Sequence, residues 1–273
     1  MNEMKQAAKA ALSFSKILEE AELRIISLGA GVQSSVLALM AAKGEITPRP
    51  DIMIMSDTGW EPAEVYTHLK WLEGEIKRLT NGQMELHIVS AGNIRADHLA
   101  GMNSTGQRFA GMPLFTHNGG MGRRQCTREY KIEPVLKKTR DLLGLKPRQR
   151  APKHAVVEQW IGISTDEIQR LKTNEKKFIE NRWPLIEKGM SRRDCLGWFA
   201  KHYPGRKLAK SACIGCPFHT NDEWRRIRDT MPVEWADAIA FDKAIRHNGS
   251  KMRGRKEHQY LHRQCVPLDE ADL

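Results

Sequence analysis

The sequence predicts an α/β protein in which a parallel sheet flanked by helices is followed by a helical C-terminal region. Three observations carry this expectation. The apolar, β-branched run LRIISL ends in glycines and leads into VLALMAAK, the pattern of strand, tight turn and helix. Three further apolar runs, DIMIMS, MELHIVS and HAVVEQWIGIS, alternate with helical patterns, as a sheet built from βαβ units requires. With 273 residues, 40% of them hydrophobic, the chain can build one large domain or one domain with a helical extension, and the second is expected.

Taken in order, residues 1–22 alternate small apolar and charged groups at helical spacing and read as a leading helix. The first strand is Leu23 to Leu28, and the second is Asp51 to Ser56, leading into Asp57-Thr58-Gly59. EPAEVYTHLKWLEGEIKRL then reads as an amphipathic helix of about five turns with Pro62 in its first turn. After the third strand, residues 101–125 hold six glycines and no period, so a long mobile loop without a strand is expected there, and loops of that length are usually functional. Beyond the fourth strand the pattern turns helical: a cap at Thr165, a SRRDCLGWFAKH helix, a cysteine turn, and NDEWRRIRDTMPVEWADAIAFDKAIRH. The end of the chain is basic and then acidic, the composition of a poorly ordered tail. Four regions are expected: a helix over 1–22, a nucleotide-binding domain over 23–175, a helical region with the cysteine turn over 176–247, and a tail over 248–273.

No apolar run approaches the roughly 18 residues of a membrane span, and the N-terminus lacks a signal-peptide core. A cytoplasmic protein without membrane association is expected. Five cysteines, Cys126, Cys195, Cys213, Cys216 and Cys265, are an odd number and a poor fit to a secreted disulfide framework, which points to metal ligation or thiol chemistry. A net charge of +11 suits a polyanionic partner such as a nucleotide, tRNA or DNA, and equally suits a solvated basic surface.

Ser27, Gly29, Ala30, Gly31, Gln33, Ser34 and Ser35 follow the first strand and open the next helix, where small residues let backbone N–H groups and the helix dipole meet a phosphate. The segment has neither the lysine of a Walker A loop nor the spacing of a dinucleotide fingerprint. A tight turn that simply needs glycine remains the alternative.

With these residues the chain resembles the PP-loop, or adenine nucleotide alpha hydrolase, superfamily, and within it the phosphoadenosine phosphosulfate (PAPS) reductase-like branch. The family's Ser-Gly-Gly-x-Asp-Ser is matched by Gly29-Ala30-Gly31-Val32-Gln33-Ser34, with Gln33 standing where aspartate is usual. Asp57-Thr58-Gly59 is similar to the family's Asp-Thr-Gly at the edge of the nucleotide pocket. Cys126 to Pro134 is similar to its Cys-Cys-x-x-x-Lys-x-x-Pro, with Thr127 replacing the second cysteine and Lys131 matching the lysine. Trp160 to Ser164, including Gly162, with Arg170 behind, resembles its anion-binding stretch; Trp183-Pro184-Leu185-Ile186 and Ile214-Gly215-Cys216-Pro217 match its Pro-Leu and Ile-Gly-Cys elements. The resemblance covers residues 24–230 and implies a Rossmann-like sheet that binds ATP with Mg, or PAPS or its relative APS.

Cys213-Ile214-Gly215-Cys216 is a C-x-x-C turn whose sulfurs can face one ion. The resemblance puts Cys126 beside it as third ligand, as in reductases that carry a 4Fe-4S cluster. Three cysteines leave one iron open, an arrangement similar to the PP-loop tRNA thiolases, where the open iron holds sulfide. A structural zinc on Cys126, Cys213, Cys216 and His219, and a redox dithiol, are the competing readings. Cys195 sits at helical spacing from Leu196, Trp198 and Phe199 and reads as a packing residue, with a fourth metal ligand as the alternative; Cys265 occupies the place of the reductases' tail nucleophile without its surrounding motif and reads as a free surface thiol.

Arg123, Arg124, Arg128 and Lys131 flank Cys126, and Lys210 precedes the C-x-x-C turn, so together they could surround an anionic substrate and stabilise its charge. The function expected is ATP-dependent, adenylating thiolation of a nucleic acid or nucleotide, with Cys126, Cys213, Cys216 and Lys131 in the catalytic centre and a cysteine desulfurase or other donor supplying sulfur. A PAPS or APS reductase fed by a thioredoxin-like thiol, and a non-catalytic nucleic-acid-binding module with structural zinc, are the alternatives.

Overall fold

A computed structural model of the chain describes residues 20–101, 111–117, 120–246 and 258–273. The leading helix expected over 1–22 falls almost wholly outside them, as do parts of the glycine-rich loop and of the tail. The elements in chain order are β1 (Leu23–Leu28), α1 (Val32–Ala42), β2 (Ile52–Asp57), α2 (Ala63–Leu79), β3 (Glu85–Ser90), α3 (Ile94–Ala100), β4 (Phe115–Thr116), α4 (Glu133–Leu142), β5 (Val157–Ile161), β6 (Ile179–Arg182), α5 (Pro184–Glu187), α6 (Arg192–His202), α7 (Asn221–Thr230), α8 (Pro232–Arg246) and β7 (Gln259–Tyr260). Among the described residues no helix is long and apolar enough to cross a membrane.

The chain divides into two compact units. The first gathers the described residues up to Ser56 with Ala63–Val89 and Val135–Ser211; the second gathers Asp57–Pro62, Ser90–Pro134 and Ala212–Leu273. The sequential division at residues 175 and 247 differs from this because a hydrophobic pattern locates elements without saying which of them pack together.

The first unit is a five-stranded parallel sheet in the order β3-β2-β1-β5-β6, flanked by helices. On β1, Ile26 and Leu28 face one apolar cluster with α1, α2 and α6, while Leu23 and Ile25 face another with Val135, Val157 and Ile179. A central parallel strand covered on both faces must be apolar on both, which is why LRIISL reads as a near-continuous run. Every residue of α1 is buried. On α2, Val65, His68, Leu69, Leu72 and Ile76 form the inward stripe, and the helix begins one residue after Pro62.

The segment read as mainly helical beyond residue 175 contributes a fifth strand, β6, parallel to β5. Its charge hid it. Arg182, 3% exposed, is neutralised by Glu187 at 2.8 Å and by the fully buried Glu158 at 3.5 Å, and it stacks over Trp160 at 4.7 Å. The cap expected at Thr165 belongs instead to Ser164, which opens a 3-10 turn over Thr165–Arg170. By contrast α6 opens with a full capping box between Ser191 and Asp194.

The second unit corrects two expectations. The glycine-rich loop contains β4, which pairs antiparallel with β7 through Phe115 opposite Tyr260 and Thr116 opposite Gln259. The described part of the tail is packed: Leu261 and Leu268 are buried, and the Asp242 carboxylate accepts their backbone N–H groups at 2.8 and 3.1 Å. Trp60, Ile94, Tyr130, Trp224, Phe241 and Leu261 form the apolar centre of this unit.

Candidate functional site

In the first unit, the strand order reverses between β1 and β5, and a parallel sheet opens a ligand crevice beyond the C-terminal ends of such a pair. Ser27 ends in that region on β1, and Gly29 to Ser35 turn the chain into α1. Gly31 is the N-cap and no side chain caps the helix, so its first backbone N–H groups remain available to an anion. Ala30 is buried with φ +53°, a left-handed backbone that costs a non-glycine residue about 1–2 kcal/mol. Ser34 Oγ donates to the Gly31 carbonyl at 3.3 Å, and Ser35 Oγ lies 2.9 Å from His68 Nε2.

Gly162 backs directly onto this loop: a Cβ there would stand 2.8 Å from the Cα and backbone nitrogen of Ser34. The Gln33 side chain is buried and fully engaged. Its Nε2 donates to Ser164 Oγ at 3.2 Å and to Glu167 Oε2 at 3.1 Å, and its Oε1 accepts from Arg192 Nη1 at 2.7 Å. A carboxylate could not donate to Glu167, so the amide suits these neighbours. Arg170 pairs with the same Glu167 at 2.5 Å. Burial, followed by the charge of Arg206, holds His68 down to about 4, so its ring is neutral at pH 7. Lys210 belongs to this sheet unit, next to Ser211, whose Cβ lies 3.5 Å from where a Gly31 side chain would begin.

In the second unit, Asp57, Thr58 and Gly59 share a compact region with the cysteine turn. Asp57 Oδ1 accepts the Gly59 N–H at 2.8 Å, and Asn93 Nδ2 donates to the Gly59 carbonyl at 2.6 Å. Thr58 is fully buried; its hydroxyl donates to Glu61 Oε1 at 3.1 Å and lies 3.3 Å from Cys213 Sγ. Trp60 supports the turn from beneath: its carbonyl accepts the Ile214 N–H at 2.9 Å, and its indole donates to Asp237 at 2.6 Å.

The sequence pattern held no sign of Glu61, a 4% exposed carboxylate. Its Oε1 lies 3.7 Å from Lys131 Nζ and accepts from Cys213 Sγ at 3.7 Å. Lys131, carried by a π-helical turn over Arg128–Ile132, is in electrostatic contact with Cys213, Cys216 and Cys126 as well as with Glu61. Burial disfavours its ammonium, but these four groups together hold its pKa above the ordinary lysine value.

The same burial keeps the thiols neutral. It pushes Cys213 up to about 12, with Glu61 adding to the rise and Lys131 opposing it. It also raises Cys126, against Arg124 and Lys131, and Cys216, against the N–H of Phe218. A reactive dithiol needs the opposite shift. Neutral thiols become thiolates when a metal or cluster displaces their protons.

Two metal groups can be weighed against this donor set. A single zinc requires every sulfur about 2.3 Å from one point, and among the described residues no three His, Cys, Asp or Glu side chains converge to hold one ion. His219 is committed elsewhere, with Nε2 3.0 Å from the Cys213 carbonyl and its ring edge-on to Trp224. An iron-sulfur cluster takes each thiolate on a separate iron, and Cys126, Cys213 and Cys216, which pack on one apolar cluster, are the donors it would use.

Of the remaining groups, Cys195 lies fully buried in the core of the sheet unit, its thiol pushed by burial up to about 12. Cys265 has φ +55° and its Sγ donates to the Thr116 carbonyl at 3.3 Å. Arg123 and Arg124 are exposed, and the Arg124 guanidinium stacks over Phe218 at 5.0 Å. Arg128 pairs with Glu133 at 3.1 Å. No protein-family model matches the chain, and a search of curated proteins finds no match.

Proposed function

We propose that this chain is an adenine-nucleotide-dependent sulfur-transfer enzyme of the PP-loop, PAPS reductase-like type, acting on a nucleic acid or nucleotide. The observation that carries the reading is that Cys126, Cys213 and Cys216 pack on one apolar cluster, where the buried Glu61 lies 3.7 Å from both Lys131 Nζ and Cys213 Sγ. The uncapped α1 N-terminus beside Gly162 supports the nucleotide half of the proposal.

In this mechanism ATP, with Mg, lies with its phosphates on the backbone N–H groups of residues 29–35. A carbonyl oxygen of the acceptor attacks the α-phosphate and pyrophosphate leaves, making that oxygen a good leaving group. Sulfide then displaces AMP at the same carbon, leaving a thiocarbonyl. Fixed N–H groups and cations act by positioning and by stabilising the charge that builds on phosphate. Cys126, Cys213 and Cys216 would hold a three-thiolate 4Fe-4S cluster, which supplies an open iron for sulfide. Lys131 balances thiolate charge in their neighbourhood, and Glu61 holds that ammonium in place.

What favours this over sulfonucleotide reduction is Cys265. The reductase reading needs a mobile tail nucleophile, whereas Cys265 sits in packed chain against Thr116. The test is anaerobic purification with iron, sulfide and zinc analysis, followed by pyrophosphate release from ATP with tRNA or DNA present. Iron and sulfide lost together in Cys126→Ala and Cys213→Ala, with release dependent on nucleic acid, is the expected result. A colourless protein that releases no pyrophosphate overturns it.

A further inference from the structure

Phe218 follows the C-x-x-C turn and is 50% exposed, although the second unit has an apolar centre that buries other aromatics. Its backbone N–H favours the Cys216 thiolate. Arg124, two residues before Cys126, lays its guanidinium over the Phe218 ring at 5.0 Å and has no ion pair among the described residues. Arg124 also influences the sulfurs of both Cys126 and Cys216. Phe218 also lines a cleft of about 530 Å³ with Asn221, Asp222, Arg225 and Arg263, in which Arg225 pairs with Asp222 and Arg263 lies beside Asn221. That volume is in the range of small-ligand sites.

An exposed aromatic ring under the Arg124 guanidinium, with Arg263 lining the adjoining cleft, combines the two things an unpaired nucleotide needs: a flat stacking surface and cations for its phosphates. An acidic peptide would meet Asp222 in the same cleft and leave the ring idle. We infer that Phe218 and Arg124 form a stacking platform that holds one unstacked nucleobase of a single-stranded RNA or DNA segment beside Cys216. The inference rests on the sulfur-transfer reading for what then happens to the base. Because the platform grips a base face, it demands an acceptor nucleotide outside a helix and accepts any base that can stack.

The test measures binding of fluorescein-labelled RNA and DNA, single-stranded and duplex, by anisotropy over a salt series. The oligonucleotides should exceed about 16 nucleotides to cover a full site. Single strands should bind more tightly than duplex, and the RNA and DNA arms identify the source of the base. Phe218→Leu should weaken single-strand binding by at least about five-fold, Phe218→Tyr should restore it, and neither should change the salt slope, because the ring touches no phosphate. Equal affinity of Phe218→Leu and wild type, duplex bound as tightly as single strand, or no binding of either form overturns the platform. Iron and sulfide content and pyrophosphate release, taken on the same preparations, report separately on the sulfur chemistry: their absence with a Phe218-dependent affinity leaves the platform standing and removes its reaction.

Discussion

Gly162 and Ser34 meet backbone to backbone, so closely that a Cβ on residue 162 would lie 2.8 Å from both the nitrogen and the Cα of Ser34. Neither partner is a flexible side-chain end, so one chain must move. Gly162→Ala should therefore displace the loop at the start of α1. A destabilisation of about 1–3 kcal/mol is expected from overpacking, read by urea unfolding, with ATP affinity in a binding isotherm falling further than the stability change alone accounts for.

Gln33 satisfies an acid and a base at once, donating to Glu167 and accepting from Arg192. Gln33→Asp is one methylene shorter and has no donor, so Ser164 and Glu167 both lose a partner. The cost should be about 1–3 kcal/mol. Adding Glu167→Gln returns an amide donor to the site, and the double variant should recover part of the loss. Additive costs in a double-mutant cycle by chemical denaturation would show that the two side chains act independently.

The parallel sheet was legible because β1 and β2 are largely apolar on both faces and β5 sits in the apolar run HAVVEQWIGIS, and the loop before α1 because glycine and serine cluster where a strand becomes a helix. β6 was not legible, since its Arg182 and Glu180 look like surface residues until Glu158 and Glu187 are seen to neutralise the arginine. The order in the tail depends on Asp242 reaching Leu261 and Leu268, contacts that no local period encodes. Spacing singled out the C-x-x-C cysteines, and a family motif singled out Lys131 and Cys126. Glu61 carried no signal: a lone carboxylate in Trp60-Glu61-Pro62 has no periodicity, and its partners Lys131 and Cys213 lie far along the chain.

His68 makes stability depend on pH. Burial, then Arg206, depresses its folded-state pKa from 6.5 to about 4, with Glu64 opposing. Between those values the unfolded chain takes up a proton that the folded chain refuses, so the unfolded state gains as pH falls. The contribution is fully present above pH 6.5 and is lost progressively down to about pH 4, a change of about 3 kcal/mol in all. Urea unfolding of wild type and His68→Gln at about pH 7 and about pH 5 checks this: the loss between the two should be smaller in the variant. Equal losses would assign the acid sensitivity to other groups.

The cysteine turn depends on an even closer approach, between Gly215 and Trp60. A Cβ on residue 215 would lie 2.1 Å from Trp60 Cη2, inside the indole, while the Trp60 carbonyl holds Ile214 and its Nε1 holds Asp237. The ring is also 4.6 Å from Phe241, which closes its retreat. Gly215→Ala must therefore tilt the turn and move Cys213 away from Thr58 and Glu61. Overpacking of this kind costs about 1–3 kcal/mol, and Cys213 should become faster to alkylate as it leaves its buried position. Trp60→Phe removes the atoms in the way, so combining it with Gly215→Ala should slow alkylation again. If Gly215→Ala alone leaves both stability and thiol reactivity unchanged, the indole does not define the position of the turn.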